Sequence, residues 1–444
     1  MGKVPKGYNI GVSSGLWSIE KKEGMLGIAR KIEWVATSSG TTFTEVALDS
    51  MTEFSEPDLK EKVKRAVSLG MIFGMHGEAY ATTGLDAMPL ASALEADYAR
   101  GHERLIQHIE GAGKIGAIYI NMHTSESTPF ILLEKRDLEV SKLVDFWGRP
   151  FKDFFEANPD IMEWASTIDS VMQYSNYKMR TAEEIAKENI LRHIQTHEGK
   201  QPDAKLIEEI NKQAEKEAKE LKKEIMKTIV YNPHHQYGIE KVAYLCIAKW
   251  MMKNNDPLWQ KIVGKKFSDK ELEKGHGWVP AVAAKYIWGH FMQDLSKETP
   301  YKDPRPLLEK YKLFWSFETP MTTQGYEGHM RLSQLPHIYS LITSIDSEWI
   351  RFTVDMEHIL GNNLDPEKQI KALPSRAAEK LLVVHLTVPH PLNPSHMPLQ
   401  LASEAQYYIY QRLYELRQKG FKNGFFLFEI GKDGVKDSIH VMRL

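Results

Sequence analysis

Cysteine is almost absent: Cys246 stands alone among 444 residues. No intrachain disulfide can form and no site can be built from several thiolates, so any metal centre must rest on His, Asp and Glu. An excess of charge of one sign is also lacking. Lys and Arg number 57 against 59 Asp and Glu, a formal net charge of -2, which provides no global positive field for a polyanion such as nucleic acid. No hydrophobic run approaches the roughly 20 residues that span a bilayer, and the run from Tyr244 to Met252 is broken by Lys249. The leading Met-Gly-Lys-Val-Pro-Lys has no apolar signal core, and Lys6 stands where a myristoylation signal has Ser or Thr. The expectation is a soluble, cytoplasmic protein with no membrane partner. No internal repeat is found.

What is present is ordinary in amount and informative in order. With 42% hydrophobic and 26% charged residues the composition is globular, and the length exceeds that of one usual compact domain. Short apolar runs rich in β-branched and aromatic residues alternate with amphipathic stretches, the pattern of parallel βα units. Eight strands are expected, near Tyr8 to Val12, Thr42 to Leu48, Met71 to Met75, Ile115 to Asn121, Leu313 to Phe317, Trp349 to Val354, Leu381 to Leu386 and Phe425 to Phe428. Helical patterns lie between them, among them Glu56 to Leu69, Ala91 to Glu110, Arg331 to Ser340 and Ser403 to Lys419, the last followed by Gly420 where a helix-ending glycine belongs.

The fourth and fifth runs are separated by about 175 residues without a convincing strand. Removing them leaves close to the roughly 250 residues of a (β/α)8 TIM barrel. The reading is therefore a discontinuous barrel, 1–130 and 306–444, with a helical insertion at 131–305. The insertion carries a capping box at Thr181 and Glu184 and an amphipathic stretch from Leu206 to Ile229 whose mixed charges suit a solvated face. Trp164, Trp250, Trp259, Trp278 and Trp288 point to a packed subdomain with its own core. Because the insertion follows a strand's C-terminal end, it is expected to form a lid or wall at the rim of the barrel.

Each strand from the third to the eighth ends in a residue type that binds metals: His76, His123, Glu318, Asp355, His385 and Glu429, with His358 three residues beyond Asp355. In a parallel barrel these ends share one rim, where barrel enzymes build their sites. A single histidine near a strand end is more often a satisfied core or loop residue. Buried carboxylates differ, because an unpaired one in an apolar setting requires a cation or strong donors. Six such ends in six consecutive strands favour a metal cluster. Other motifs carry less. Gly111-Ala-Gly-Lys-Ile-Gly116 matches G-x-G-x-x-G but precedes a strand, so a helix-ending loop is expected there. His193 and His197 lack the glutamate of H-E-x-x-H, and His234-His235 lies in a Pro-containing stretch.

Six motifs resemble the endonuclease IV family within the xylose isomerase-like barrel superfamily: Asn-Ile-Gly-Val-Ser-Ser (9 to 14), His-Gly-Glu-Ala-Tyr (76 to 80), Asn-Met-His-Thr-Ser (121 to 125), Glu318 with Gln324-Gly325, Asp355-Met-Glu-His358 and Val384-His385-Leu386. The resemblance covers both flanks and not the interval. It implies one ion at His76, His123 and Glu318 and a second at Glu318, Asp355, His385 and Glu429. His358 and His396 resemble ligands of the family's third ion, whose carboxylate is missing here because Pro394 stands where an acid belongs. His76 to Tyr80 is one residue longer than the family's motif.

Such nitrogen and oxygen ligands suit Zn²⁺ best, then Mn²⁺ or Fe²⁺. Two functions follow from the resemblance. The first is a metal-dependent phosphodiesterase that cuts DNA at abasic sites with a water activated between two ions, Glu318 and Glu429 being the catalytic carboxylates. The second is a sugar isomerase or epimerase using only Glu318, Asp355, His385 and Glu429, in which His76 and His123 bind a small sugar. A bulky insertion at the rim suits a small or single-stranded substrate better than a duplex.

Overall fold

Eight parallel strands, β1 (Tyr8–Ser13), β2 (Phe43–Ala47), β3 (Ile72–His76), β4 (Tyr119–His123), β5 (Phe314–Glu318), β6 (Ile350–Asp355), β7 (Leu381–His385) and β8 (Gly424–Glu429), close in sequence order into a barrel. The closing seam pairs β1 with β8 from Tyr8 opposite Gly424 to Ser13 opposite Glu429. This is the expected (β/α)8 architecture. The structure, a computed structural model, describes residues 4–18, 27–78, 88–124, 143–165, 167–168, 205, 207–213, 239–293, 299–322, 330–387 and 397–444. Thr181, Glu184, His193, His197, His234, His235 and most of the stretch from Leu206 to Ile229 lie outside them. No helix among the described residues is long and apolar enough to cross a membrane.

The strands alternate between two apolar regions, as the pleat requires. Phe43, Tyr119, Phe314, Val383, Phe425 and Leu427 form a small cluster inside the barrel. A much larger one lies between the strands and the surrounding helices. The fourth strand starts later than the sequence suggests because the helix before it, Glu95–Ile115, runs through the Gly111 to Gly116 motif and ends with Gly116 in the left-handed conformation. Gly111 and Gly113 serve contact there: a Cβ would stand 2.7 Å from the Phe54 ring and 2.3 Å from the Tyr311 ring. No phosphate-cradling turn exists at this motif.

Between β4 and β5 the helix Val279–Phe291 packs on the outer face of β5 through Phe291, whose ring meets Trp315 and Phe317 at 5.8 and 5.4 Å. On one side it meets Glu95–Ile115, where His290 stacks on Tyr98 at 3.9 Å. On the other, Trp288 Nε1 donates to Ser344 O at the end of the helix Leu335–Ser344. It therefore occupies the ring position of the crossover helix. Trp164, Trp259 and Trp278 belong to the same continuous apolar core as the barrel's outer layer.

The helix Ile239–Lys253 is tied to the loops after β3 and β5 by one buried ion pair. Arg331 Nη1 and Nη2 donate to Glu240 Oε1 and Oε2 at 3.0 and 2.7 Å, and Glu240 Oε1 also accepts from Ser92 Oγ and Ala93 N. Removing one partner of such a pair leaves an uncompensated buried charge. Glu240→Gln is expected to destabilise the protein by about 3–5 kcal/mol in urea unfolding. A loss below about 1 kcal/mol, the range of exposed pairs, contradicts that assignment.

Candidate metal centre

Register, more than sequence proximity, assembles the site. His123 lies opposite Glu318 on β4 and β5, and Asp355 opposite His385 on β6 and β7. All strands run the same way, so their ligand-bearing ends stand level on the C-terminal rim. Asp355 is also the N-cap of the short helix that follows, accepting from His358 N at 2.8 Å, which turns His358 back over the same rim.

Glu318 stands at the centre, fully buried. Its Oε2 is 3.3 Å from His76 Nε2 and 3.9 Å from His123 Nε2. Its Oε1 is 3.3 Å from His358 Nδ1 and 3.1 Å from His385 Nδ1. His385 Nδ1 is also 3.1 Å from Asp355 Oδ2 and 3.7 Å from Glu429 Oε2. Three groups have ligand atoms within 4.8 Å of one another: His76, His123 and Glu318; Glu318, Asp355 and His358; Asp355, His385 and Glu429. Atoms bound tetrahedrally to one ion at about 2.0–2.1 Å stand about 3.3 Å apart, so these separations match a shared cation. Glu318 Oε1 is moreover a buried oxygen with no hydrogen-bond partner, a costly state that a cation relieves. The residues therefore fit divalent metal.

Neighbouring groups aim the ligands. His76 Nδ1 lies 2.8 Å from Gly77 O, so it donates there and leaves Nε2 as the nitrogen that faces Glu318. The Asn121 amide donates to Glu318 Oε2. Gly15, just after β1, leaves room for Glu429: a Cβ at position 15 would lie 2.1 Å from Glu429 Oε1.

Without a metal, His76, His358 and His385 are held toward their protonated forms by the carboxylates around them. Burial works against a charged imidazole, but Glu318 outweighs it and raises His76 to about 9. Burial is likewise overcome at His358 by Asp355 and Glu318, which raise it to about 10. His385 is also held well above its usual range, against its burial, by Glu318 and Glu45. Burial dominates at His123 and holds it well below the usual value. Glu318, despite the opposing effect of burial, is driven well below the carboxylate range by His385 and His358.

Seven of the eight residues singled out in the sequence, His76, His123, Glu318, Asp355, His358, His385 and Glu429, come together in these groups. His358, assigned by resemblance to a third ion, joins Glu318 and Asp355. His396, Gln324, Gly325 and Tyr80 lie outside the described residues. Sequence reading missed Glu45, Asn121 and Gly15. A signal for the first two was present: each is a polar residue on the inward face of a strand otherwise packed with apolar side chains.

Fold and site together define a (β/α)8 barrel with a candidate metal centre on its C-terminal rim. No protein-family model matches the sequence, and no curated protein matches it. Solved structures of similar architecture include a D-tagatose 3-epimerase-like protein (11% identity, 98% of this chain and 96% of that one, TM-score 0.47). Others are 3-keto-D-glucoside 4-epimerase from E. coli (8% identity, 98% and 99% coverage, TM-score 0.45) and D-psicose 3-epimerase (11% identity, 98% and 89% coverage, TM-score 0.44). Two of these are named as epimerases and the third as epimerase-like. At this level of similarity they carry no argument about the substrate of this chain.

Two outcomes follow. Gly15→Ala is expected to displace the Glu429 carboxylate and weaken metal binding at least about tenfold in chelator competition, in line with mutations that disturb ligand placement; unchanged affinity removes Glu429 from the ligand set. Metal binding must also displace the protons on His76 and His358. The raised values stabilise the metal-free protein fully below the unfolded value near 6.5, and that stabilisation is lost as pH rises through about 9 to 10. Apparent metal affinity is thus expected to climb between pH 6.5 and 9 by about tenfold per pH unit for each proton displaced. Isothermal titration across that interval checks it, and a flat profile contradicts it.

Proposed function

We propose that this chain is a divalent-metal-dependent enzyme that hydrolyses a phosphate ester, with Glu318 common to the two sets of residues that would hold its ions. One observation carries the reading: the two oxygens of that single buried carboxylate face different histidines, Oε2 toward His76 and His123 and Oε1 toward His358 and His385. His76, His123 and Glu318 make a His₂Glu set, a common catalytic arrangement that leaves a position open for substrate. Asp355, His385 and Glu429 complete the other set with Glu318. Bound there, such a pair of ions supplies a nucleophile at neutral pH and stabilises the charge on a phosphoryl group.

The chain's own residues do the rest. Asn121 and the opposed histidines hold Glu318 in its bridging orientation. The Gly77 carbonyl fixes the His76 ring, and the Thr319 carbonyl accepts from His358 Nδ1 at 3.0 Å. Near-neutral charge favours a small or single-stranded phosphate ester over a DNA duplex. The interval between β4 and β5 is expected to wall the rim. Supporting that, Val144 N donates to Ala93 O in the loop after β3.

A second reading, epimerisation or isomerisation of a small sugar at one ion, has its own observation. Glu318 and Glu429, on strands β5 and β8, both approach His385 Nδ1, at 3.1 and 3.7 Å. Two carboxylates converging on one point can remove a proton from a carbon beside a carbonyl and return it.

Metal analysis with anomalous scattering separates the readings. Two ions sharing Glu318, together with hydrolysis of a model phosphodiester that falls at least about 10³-fold in Glu318→Gln, in the range of losing one preorganised electrostatic group, support the hydrolase. One ion at Asp355, His385 and Glu429, with turnover of a ketose and none of the phosphodiester, gives the case to the isomerase.

A further inference from the structure

The floor of the site contains a carboxylate that neither set of ligands uses. Glu45 sits in the middle of β2, fully buried, one pleat below the rim. Its Oε2 accepts from Tyr119 Oη at 2.9 Å. Its Oε1 lies 3.2 Å from His385 Nε2, and both of those atoms are buried without a hydrogen-bond partner. Tyr119 reaches Glu45 because Gly74, opposite Glu45 in the β2–β3 register, leaves room for its ring: a Cβ at position 74 would stand 2.2 Å from it. Three residues on three strands are thus committed to one contact beneath His385.

The two faces of the His385 ring system then differ in kind. Nε2 looks down at Glu45. Nδ1 looks out at Asp355, Glu318 and Glu429. A histidine that binds a metal needs its other nitrogen protonated and aimed at an acceptor, which fixes the tautomer and strengthens the donor. Charge points the same way. Among the described residues, none of Glu45, Glu318, Asp355 and Glu429 is ion-paired to Lys or Arg; their charged partners are the site histidines. Four negative charges, those of Glu45, Glu318 and Asp355 buried and that of Glu429 half-buried, would balance two divalent cations with every histidine neutral.

We propose that Glu45, held by the Tyr119 hydroxyl, is a positioning residue that fixes His385 with Nε2 protonated and Nδ1 free to bind the ion shared with Asp355 and Glu429. The inference rests on the metal-dependent reading of the site and not on which reaction it performs. Glu45→Gln keeps the shape of the side chain and removes its charge. It is expected to weaken the ion at Asp355, His385 and Glu429 by about 10- to 100-fold, the usual cost of losing a ligand's own partner, and to leave the ion at His76, His123 and Glu318 essentially unchanged. Tyr119→Phe removes one oxygen and should weaken the same ion by a smaller factor.

The test is a chelator-competition titration of Zn²⁺ on the full chain and both variants, with ¹⁵N-histidine NMR of the zinc-loaded protein to read the His385 tautomer. Loss of the Nε2-protonated form in Glu45→Gln, with selective weakening of one ion, supports the proposal. Retention of that form with unchanged affinity in both variants overturns it, and Tyr119→Phe alone decides the matter where Glu45→Gln does not fold. If the wild type holds a single ion that Glu45→Gln still weakens, the two-ion hydrolase fails and the role of Glu45 stands. If the wild type holds two ions that neither variant affects, the reverse is true.

Discussion

A carboxylate sealed inside a barrel is the constraint on which the rest of the site depends. Glu318 has no access to water, and an isolated charge in such surroundings costs several kcal/mol even after relaxation. The fold answers by bringing opposite charge to both of its oxygens. His76 and His123 approach one, His358 and His385 the other, and the histidines in turn draw in Asp355, Glu429 and Glu45. Each addition creates a new requirement, because protonated imidazoles are themselves expensive to bury. Divalent cations, held as proposed above, would satisfy all of these demands together in surroundings otherwise crowded with buried acids and bases.

Much of this was legible in the sequence because a barrel converts position along the chain into position on a rim. Once eight strands are recognised, the residue ending each one has a known place, and His76, His123, Glu318, Asp355, His385 and Glu429 need no further information to be brought together. His358 was visible too, assigned by resemblance to a third ion; what the sequence does not display is that Asp355 caps the next helix and folds His358 back over Glu318. Glu45 and Asn121 were overlooked for a different reason. They sit inside strands instead of at their ends, and their meaning comes from the register with neighbouring strands, which one sequence does not display. Even so, the alternation of two along β4, Tyr119 then Asn121 then His123, places all three on one face, and reading that face downward from each ligand would have exposed the polar floor.

The helices were harder to delimit than the strands. Glycines 111 and 113 look like punctuation, yet they lie inside a helix because Phe54 and Tyr311 press against its backbone. Local propensity yields there to tertiary contact. In the same way, the tryptophans of the long interval signal burial but not what they are buried against. The structure answers that question with a single core shared between the interval and the barrel's outer layer.

The helix Val279–Phe291 carries a consequence for how the molecule is assembled. β4 and β5 are neighbours in the barrel, but their mutual contact joins residues such as His123 and Glu318 that are nearly two hundred positions apart, and the stave that covers their seam is supplied from late in the intervening stretch. Closing a loop of that size is slow relative to pairing strands joined by short crossovers. The first four strands can gather as one half and the last four as another, while the seam between them waits for the interval to fold. Glu318 and the two histidines that face its Oε2 lie across that seam. The ligand set is therefore complete only once the two halves have met, and a chain caught before that would hold His76 and His123 apart from Glu318.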